Sequence, residues 1–457
     1  MAELADALSW GGSALLRACG FKSHHPHKYF MTIINKNQQI FEKASKLLIG
    51  GVNAPIRAFS LIGITPIYIS SSVGPYLTDV DNKTYISFLS GWGSIILGDA
   101  YPEIVNNLKK QIEKGIYYGL SNEYESLLSE LILEAFNFHD MIRYTNSGTE
   151  ANMLAIRLAK AITGRNKIIK FDGGYHGSID YLLIENGSKE FGEQIPSSAG
   201  VSKRLIKDTV SLPYNDIEVL TEFLNKYGSE IAAIIVEPIQ TSNMLIKANE
   251  EFLLKLRELT QKYSIILIFD EVSTAFRIRY GSCTNIKPDI TVIGKVIGGG
   301  FPIAAILSKK EFMEVMAPIG SMYHSGIFTG HPISTFTGYH VLNIIKSIDN
   351  FYQKLEKQTL YFVNIINQLK EKLPTLNINY VNSMFSLYFA NKKVESIEDI
   401  NELDIMIFID FYKLALEEGI LFAPHPTETN YLNFSHDNKI LDLISEKLNK
   451  IANNLTF

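Results

Sequence analysis

The chain contains little cysteine, no long apolar run and only a small net charge. Cys19 and Cys283 are the only cysteines among 457 residues, too few for a disulfide framework and typical of a protein in a reducing cytoplasm. No stretch approaches the roughly 18 uninterrupted apolar residues of a membrane-spanning helix. The net charge of −5 gives no general attraction to nucleic acid or to an anionic membrane. We therefore expect a cytoplasmic protein whose partners are neither nucleic acids nor membranes.

Motifs of several common enzyme classes are also missing. The sequence contains no His-Glu-x-x-His, no Cys-x-x-Cys and no Gly-x-Ser-x-Gly, which leaves metal-dependent and serine-hydrolase chemistry with little support. The glycine run at 298–300 lacks the Walker spacing and the Ser or Thr that would follow its lysine. A nucleotide-binding P-loop is therefore not expected, and we predict no metal site.

Size and composition predict a two-domain globular protein with a separate leader. The 457 residues are 46% hydrophobic and 20% charged, which is typical of a soluble protein with an ample core. Residues 1–30 are rich in Ala, Gly and His, whereas the chain from Met31 onward is rich in Ile, Asn and Lys. We interpret residues 1–35 as a flexible leader outside the catalytic part, with Met31 as a second start being the alternative.

Short apolar runs alternate with helical patterns in the middle of the chain, which predicts an α/β fold. The runs are apolar on both faces, as a mainly parallel sheet with helices on both sides requires. Predicted strands lie at 66–70, 76–79, 84–88, 141–145, 167–171, 231–236, 265–269, 290–293 and 303–307. One long helix is predicted from Pro332 to about Leu369. We divide the chain into an N-terminal segment (36–100) that packs with the small domain, a large α/β domain (101–335) and a small α+β domain (336–457).

A lysine and an aspartate at the ends of two apolar strands suggest covalent catalysis. Lys295 follows the run at 290–293, and Asp270 ends the run at 265–269. Apolar surroundings disfavour the ammonium form of a lysine, so its free amine becomes a nucleophile that can form a Schiff base. A buried carboxylate is a suitable partner for the protonated ring nitrogen of pyridoxal phosphate. The pair indicates an enzyme that uses this cofactor.

Other strand ends carry residues suited to the same ligand. Ser147, Gly148 and Thr149 open a helix after the strand at 141–145, where backbone N–H groups and the helix dipole favour a phosphate; a plain helix cap explains them equally well. Tyr175 follows the strand at 167–171, and an aromatic ring there can stack on a flat cofactor. Val272 can pack beneath the same ring. In open α/β sheets, ligands bind at such carboxyl ends of strands.

Several segments in this order resemble the class III aminotransferases, a family of fold-type I pyridoxal-phosphate enzymes. The matching segments include GGVNAPIRAF (50–59), NSGTEAN (146–152), YHG (175–177), FDEV (269–272) and GKVIGGG (294–300). The resemblance extends from about residue 36 to the end of the chain. Within the family it is greatest to the glutamate-1-semialdehyde 2,1-aminomutases. It implies an aspartate aminotransferase-like fold, a homodimer, and pyridoxal 5'-phosphate with its pyridoxamine form in the cycle.

The resemblance also implies a role for individual residues. Lys295 would bind the cofactor covalently and move a proton, and Asp270 would pair with the ring nitrogen. The remaining expectations are that Tyr175 and Val272 hold the ring, that Ser147, Gly148 and Thr149 hold the phosphate, that Arg57 clamps a substrate carboxylate, and that Trp92 and Glu428 line the substrate pocket. The segment 185–203 resembles the family's mobile gate over the active site.

Several positions depart from the family pattern, and two of the departures concern contacts with the cofactor. Ile327 stands where the family usually has a threonine that reaches the phosphate of the neighbouring subunit, and we expect Thr329 to substitute. Thr-Ser-Asn replaces a glycine-rich turn after Gln240, so Ser242 or Asn243 is expected to bond the phenolic oxygen of the cofactor.

The predicted function is amino-group transfer on a small amino or keto substrate. The first hypothesis is the conversion of glutamate-1-semialdehyde to 5-aminolevulinate, a tetrapyrrole precursor. A related intermolecular aminotransferase acting on a β- or ω-amino acid or a biosynthetic intermediate is the alternative. A more distant alternative is a protein that binds pyridoxal phosphate without turnover.

Overall fold

The computed structural model describes residues 35–187 and 189–455. The predicted leader, apart from Asn35, and the alternative start at Met31 lie outside these residues. No helix in the described part of the chain is long and apolar enough to cross a membrane.

The helices and strands alternate through most of the described chain. The helices are α1 Lys36–Ala44, α2 Pro102–Ile112, α3 Glu123–Ala135, α4 Gly148–Thr163, α5 Lys203–Ile206, α6 Ile217–Tyr227, α7 Glu250–Lys262, α8 Lys310–Met313, α9 Pro332–Ser347, α10 Phe351–Leu369, α11 Ile405–Glu417 and α12 Asn438–Asn454. The strands are β1 Ile69–Val73, β2 Tyr76–Asp79, β3 Thr84–Ser87, β4 Met141–Thr145, β5 Lys167–Phe171, β6 Thr209–Leu212, β7 Ile231–Val236, β8 Ile239–Gln240, β9 Ile246–Lys247, β10 Ile266–Glu271, β11 Ile290–Gly294, β12 Ala304–Ser308, β13 Leu376–Val381, β14 Met384–Phe389, β15 Ile420–Leu421 and β16 Asn430–Tyr431.

A seven-stranded sheet in the order β4-β12-β11-β10-β7-β5-β6 forms the centre of the molecule. β6, β5, β7, β10 and β11 pair in parallel, and only β12 runs against its neighbours. Alternate residues of β10 enter different apolar cores, Ile268 on one face and Leu267 with Phe269 on the other. Both faces are therefore covered, and the predicted mainly parallel α/β sheet is confirmed.

The strand predictions for this sheet hold to within about two residues, with one omission. β6 was not predicted, because Thr-Val-Ser-Leu lacks a long apolar run; it pairs with β5 alone at the edge of the sheet. The N-terminal prediction at 66–70 was displaced. β1 covers Ile69–Val73, where it pairs with β2, and the segment around Pro66 is not a strand.

The predicted single helix from Pro332 to Leu369 was wrong. α9 ends at Ser347, where Ile348 takes an extended conformation (φ −87, ψ 112), and α10 begins after Asn350. Asn350 has a left-handed φ of 55°, a conformation that asparagine tolerates better than most residues and that does not continue a helix. The chain therefore turns between two helices instead of continuing straight.

Two smaller sheets carry the N-terminal and C-terminal parts. β3 pairs in parallel with β15, so the sheet β1-β2-β3-β15 joins both ends of the chain, and β13-β14-β16 forms the other sheet. Their shared core includes Phe88, Phe385 and Phe422. Residues 84–87 and 420–421 occupy one sheet. We therefore propose that the N-terminal segment 36–100 packs with the small domain 336–457, and that residues 101–335 form the large domain.

Candidate active site

The carboxyl ends of β4, β5, β10 and β11 place most of the predicted residues at one edge of the large sheet. Two close approaches link these strand ends. The carboxylate of Asp270 on β10 lies 2.9 Å from His176 Nδ1, beyond β5. A Cβ on Gly148, just beyond β4, would lie 3.0 Å from a methyl of Val272. The edge of the sheet therefore brings together the aspartate, the predicted phosphate loop and the aromatic loop.

Asp270 is buried and held by three donors. Its Oδ2 accepts hydrogen bonds from Asn152 Nδ2 at 2.7 Å and from His176 Nδ1 at 2.9 Å, and its Oδ1 accepts one from Val272 N at 3.1 Å. Burial lowers the pKa of His176, while the hydrogen bond to Asp270 acts in the opposite direction. Three donors fix the carboxylate rigidly, which suits a group that must face one atom of a ligand. Asn152 and His176 lie within motifs noted in the sequence, yet their contact with Asp270 was not predicted.

Lys295 lies in a strained turn directly after β11. Its φ of 47° is left-handed, a conformation that costs a non-glycine residue free energy and is often found at functional sites. Its Nζ donates to Ser273 Oγ at 2.5 Å and lies 5.8 Å from the centroid of the Tyr431 ring. The turn therefore directs the amine toward the loop that follows Asp270. Neither Ser273 nor Tyr431 was singled out from the sequence.

The N-terminus of α4 offers unpaired donors. Ser147 is the N-cap, and its Oγ accepts from Glu150 N at 3.2 Å. In the described part of the chain, the N–H groups of Gly148 and Thr149 have no acceptor. The helix cap and the anion site are thus compatible, since two N–H groups at a helix N-terminus remain available for a phosphate.

The aromatic loop and Val272 suit a flat ring. Tyr175 is 55% exposed, and its backbone N–H donates to Glu237 Oε2 at 2.9 Å. Burial and the nearby charge of Asp270 raise the pKa of Glu237. Gly148 and Gly294 both approach the methyl groups of Val272, where a side chain on either glycine would be crowded. An exposed aromatic ring, a rigid carboxylate and free helix donors near one amine fit pyridoxal phosphate.

The three residues predicted to bind the substrate lie in different environments. Glu428 is partly buried; burial raises its pKa to about 7, against the opposing effect of the Lys295 charge. Trp92 lies in the turn Ser90–Gly93 with a left-handed φ of 56°. Arg57 is exposed on a short 3-10 helix, Pro55–Ala58, and its side chain makes no hydrogen bond or ion pair with another described residue. Its role as a carboxylate clamp stays a prediction.

The residues expected to replace missing family contacts are only partly available. Thr329 Oγ1 donates to Gly326 O at 2.6 Å, within its own loop, while Ile327 is 73% exposed. The amide of Asn243 donates to Gly173 O, beside the aromatic loop, and Ser242 is half-buried. Asn243 is therefore next to the proposed ring, whereas Thr329 would have to break its local bond to reach a phosphate.

Arg277 is a buried residue that sequence reasoning missed. Its side chain is fully buried, and its guanidinium donates to Leu432 O at 2.9 Å and to Gly93 O at 2.7 Å. It also lies over the Tyr431 ring, 5.4 Å from the centroid. Burial lowers its pKa to about 10. No local sequence pattern marks such an arginine, because its acceptors come from distant parts of the chain.

Glu428→Gln is expected to change how the stability of the cofactor-free protein depends on pH. The pKa of Glu428 rises from 4.5 to about 7 on folding, so its contribution to stability is full below about pH 4.5 and is lost as pH rises through about 7. The glutamine variant should therefore be more stable than wild type by on the order of 2 kcal/mol at about pH 8, after allowance for partial exposure, with little difference at about pH 5. Urea unfolding at both pH values measures this.

The exposed Glu417→Gln variant is the control for Glu428 and should show no difference between the two pH values. Equal effects of Glu428→Gln at both pH values would contradict the assignment of a raised pKa.

Among residues 35–187 and 189–455, no group of three His, Cys, Asp or Glu is arranged to hold a metal ion.

The sequence profile described as Aminotransferase class-III matches residues 62–437. A glutamate-1-semialdehyde 2,1-aminomutase from Alkaliphilus metalliredigens is 38% identical over 427 residues, covering 92% of this chain and 97% of that protein.

Solved structures agree with the sequence comparison. An omega-transaminase from Sphaerobacter thermophilus superposes with a TM-score of 0.83 at 26% identity, covering 92% of this chain and 98% of that one. A transaminase with PLP bound gives a TM-score of 0.81 at 25% identity, covering 93% and 98% of the two chains. On the match over 62–437 and the identity to the Alkaliphilus protein, this chain belongs to the class III aminotransferase family.

Proposed function

We propose that the protein is a pyridoxal-phosphate-dependent glutamate-1-semialdehyde 2,1-aminomutase that forms 5-aminolevulinate. The observation that carries the proposal is Lys295 in its left-handed turn at the edge where Asp270 is fixed by three donors. Its support from relatives is the 38% identity to the Alkaliphilus aminomutase over nearly the whole chain.

Each part of the site has a task in this reaction. When bound, pyridoxal phosphate supplies an electron sink next to the substrate carbon. Asp270 keeps a positive charge at the ring nitrogen favourable, because its carboxylate is buried and cannot turn away. The free N–H groups of Gly148 and Thr149, with the Ser147 hydroxyl, bind the phosphate. Tyr175 and Val272 hold the ring, with Asn243 or Ser242 at its phenolic oxygen.

Lys295 is the residue that moves protons. Its amine would provide the covalent attachment and, when free, would move protons between the substrate carbons that exchange the amino group and C4′ of the cofactor. Glu428, with its raised pKa, can lie near the substrate amino groups in either protonation state around neutral pH. Arg57 and Trp92 complete the substrate pocket, with the segment 185–203 as the gate that keeps the intermediate inside.

An intermolecular aminotransferase acting on a β- or ω-amino acid is the second candidate, since an omega-transaminase superposes on this chain with a TM-score of 0.83. The two reactions differ in what they consume. An aminomutase converts its substrate alone, whereas a transaminase also needs a keto acid that accepts the amino group.

Incubation of the purified holoenzyme with glutamate-1-semialdehyde alone separates these candidates. We expect 5-aminolevulinate to appear at a rate that added keto acids do not increase. Product only in the presence of a keto acid would favour the intermolecular transaminase. No product from glutamate-1-semialdehyde under either condition would exclude the aminomutase.

We also propose a cytoplasmic homodimer. Exposed apolar side chains of two segments, including Ile116, Leu120 (82% exposed) and Phe328, lie on the surface. The segments are adjacent, because the Tyr117 ring lies 5.3 Å from that of Phe328 and its hydroxyl bonds the Ile327 carbonyl. Apolar patches of this kind mark interaction surfaces. Sedimentation equilibrium should give twice the 51.4 kDa chain mass, and a monomer would contradict the proposal.

A further inference from the structure

Ser273 is the hydrogen-bonding partner of the amine on which the proposed reaction depends. Lys295 Nζ donates to Ser273 Oγ at 2.5 Å. No other side chain in the described residues forms a hydrogen bond or an ion pair with this amine.

The loop that carries Ser273 is fixed on both sides. Asp270 Oδ1 accepts from Val272 N at 3.1 Å on the side of the site, and Thr274 N donates to Glu271 O at 3.2 Å. The Glu271 side chain is fully buried, with Ser282 Oγ and Cys283 N each 2.6 Å away from one of its oxygens. A movement of the serine would therefore disturb the bond of Val272 N to the Asp270 carboxylate or that of Thr274 N to the Glu271 carbonyl.

The strain in the lysine turn points to the same contact. The left-handed φ of Lys295 (47°) re-aims its side chain at the end of β11, and the amine that it places there meets the Ser273 hydroxyl. No acceptor for the Ser273 hydroxyl proton is found within residues 35–187 or 189–455. The hydroxyl accepts from the lysine and keeps its own proton for a ligand or solvent.

We propose that Ser273 is a positioning residue for Lys295, whose hydroxyl accepts a hydrogen bond from the amine whenever the amine is not joined to the cofactor. This inference rests on the proposed function. When Lys295 takes a proton from a substrate carbon, a C–H bond breaks and Nζ gains its third N–H bond. Ser273 Oγ accepts a hydrogen bond from one of the three N–H groups and so fixes the directions of the other two. Nζ would then give up this proton to C4′ of the cofactor, so that Nζ returns to a free amine, and the serine keeps its own proton throughout.

Ser273→Ala tests the hydroxyl, and Thr274→Val is the matched control. Thr274 belongs to the same loop, but its hydroxyl lies 3.5 Å from Glu271 and does not meet Lys295. We expect Ser273→Ala to lower kcat by on the order of 10- to 100-fold, the loss of a hydrogen bond to a charged group, with KM unchanged. Ser273→Thr, which restores a hydroxyl, should recover most of the loss, and Thr274→Val should resemble wild type.

A second measurement does not depend on turnover. The cofactor-free protein is mixed with pyridoxal phosphate, and the rise of visible absorption is followed as the Lys295 amine joins the aldehyde. Ser273→Ala should slow this step by about tenfold, because the amine loses the group that orients it. Thermal unfolding of each variant without cofactor shows whether the fold is retained.

The outcomes separate the two proposals. If wild type becomes coloured but forms no 5-aminolevulinate, the proposed reaction fails, and the role of Ser273 is still decided by the rate of colour formation. If wild type forms product and Ser273→Ala matches Thr274→Val in both kcat and colour formation, only the role of Ser273 is overturned. A wild-type protein that stays colourless overturns both.

Discussion

Lys295→Ala should lose the visible absorption band of the Schiff base that wild type forms with pyridoxal phosphate and should reduce 5-aminolevulinate formation by on the order of 10⁴-fold. Alanine removes the nucleophile that joins the aldehyde and the base that moves the proton. Among the described residues, no other side chain forms a hydrogen bond with Ser273 Oγ, so no second amine is in position to replace Lys295. Absorption spectra and initial rates of the purified variant measure both losses. Borohydride treatment of wild type, followed by peptide mapping, should locate the modification on Lys295.

Lys309→Ala is the control for this variant, because Lys309 is an exposed lysine just beyond β12. It should keep both the colour and the rate. Full activity in Lys295→Ala would discard every enzymatic interpretation given above. A coloured wild type without turnover on any amino or keto substrate would instead favour a binding protein.

Asp270→Asn should keep the colour but lower kcat by about 10²- to 10⁴-fold. Asparagine has the size of aspartate, so the loop is retained, but the negative charge that favours a protonated ring nitrogen is lost. The new amide also cannot accept from every present donor, because Val272 N bonds one carboxylate oxygen while Asn152 Nδ2 and His176 Nδ1 bond the other. Steady-state rates and the visible spectrum together measure the effect.

Asp289→Asn serves as its control at the opposite edge of the sheet. Asp289 accepts from Arg257 at 2.9 Å and from Leu267 N at 2.8 Å, before β11 begins. Its loss should reduce stability while kcat stays at the wild-type value. If Asp270→Asn reduced stability alone and kept its kcat, Asp270 would be structural, and the ring nitrogen would need another partner.

Sequence reasoning reached the residues that end apolar strands. The runs before Asp270 and Lys295 are buried in the sheet, and a polar residue after such a run is visible without a structure. β6 was missed because its sequence is half polar. The long helix was wrong because Ile348 is extended at the end of α9 and Asn350, before α10, is left-handed.

The residues around these two groups could not be predicted in the same way. Asn152, His176 and Ser273 acquire their roles only through packing, since each meets a residue at least 22 positions away in the sequence. Thr329 was expected to replace the threonine that bonds the phosphate in the family, but its hydroxyl donates a hydrogen bond to Gly326 O within its own loop. A sequence motif gives the type of each side chain. The hydrogen-bonding partner of that side chain depends on residues that distant parts of the chain place next to it.

The buried guanidinium of Arg277 has a consequence for how the molecule folds. It bonds Gly93 and Leu432, which lie 184 and 155 positions away in the chain, so these contacts close very long loops. Neither carbonyl has another donor among the described residues. Partial unfolding of any one of the three segments would therefore leave the buried guanidinium or a buried carbonyl without a hydrogen-bonding partner. Loss of structure should therefore be a single cooperative event that includes the catalytic edge, and a stable fragment ending near residue 335 is not expected.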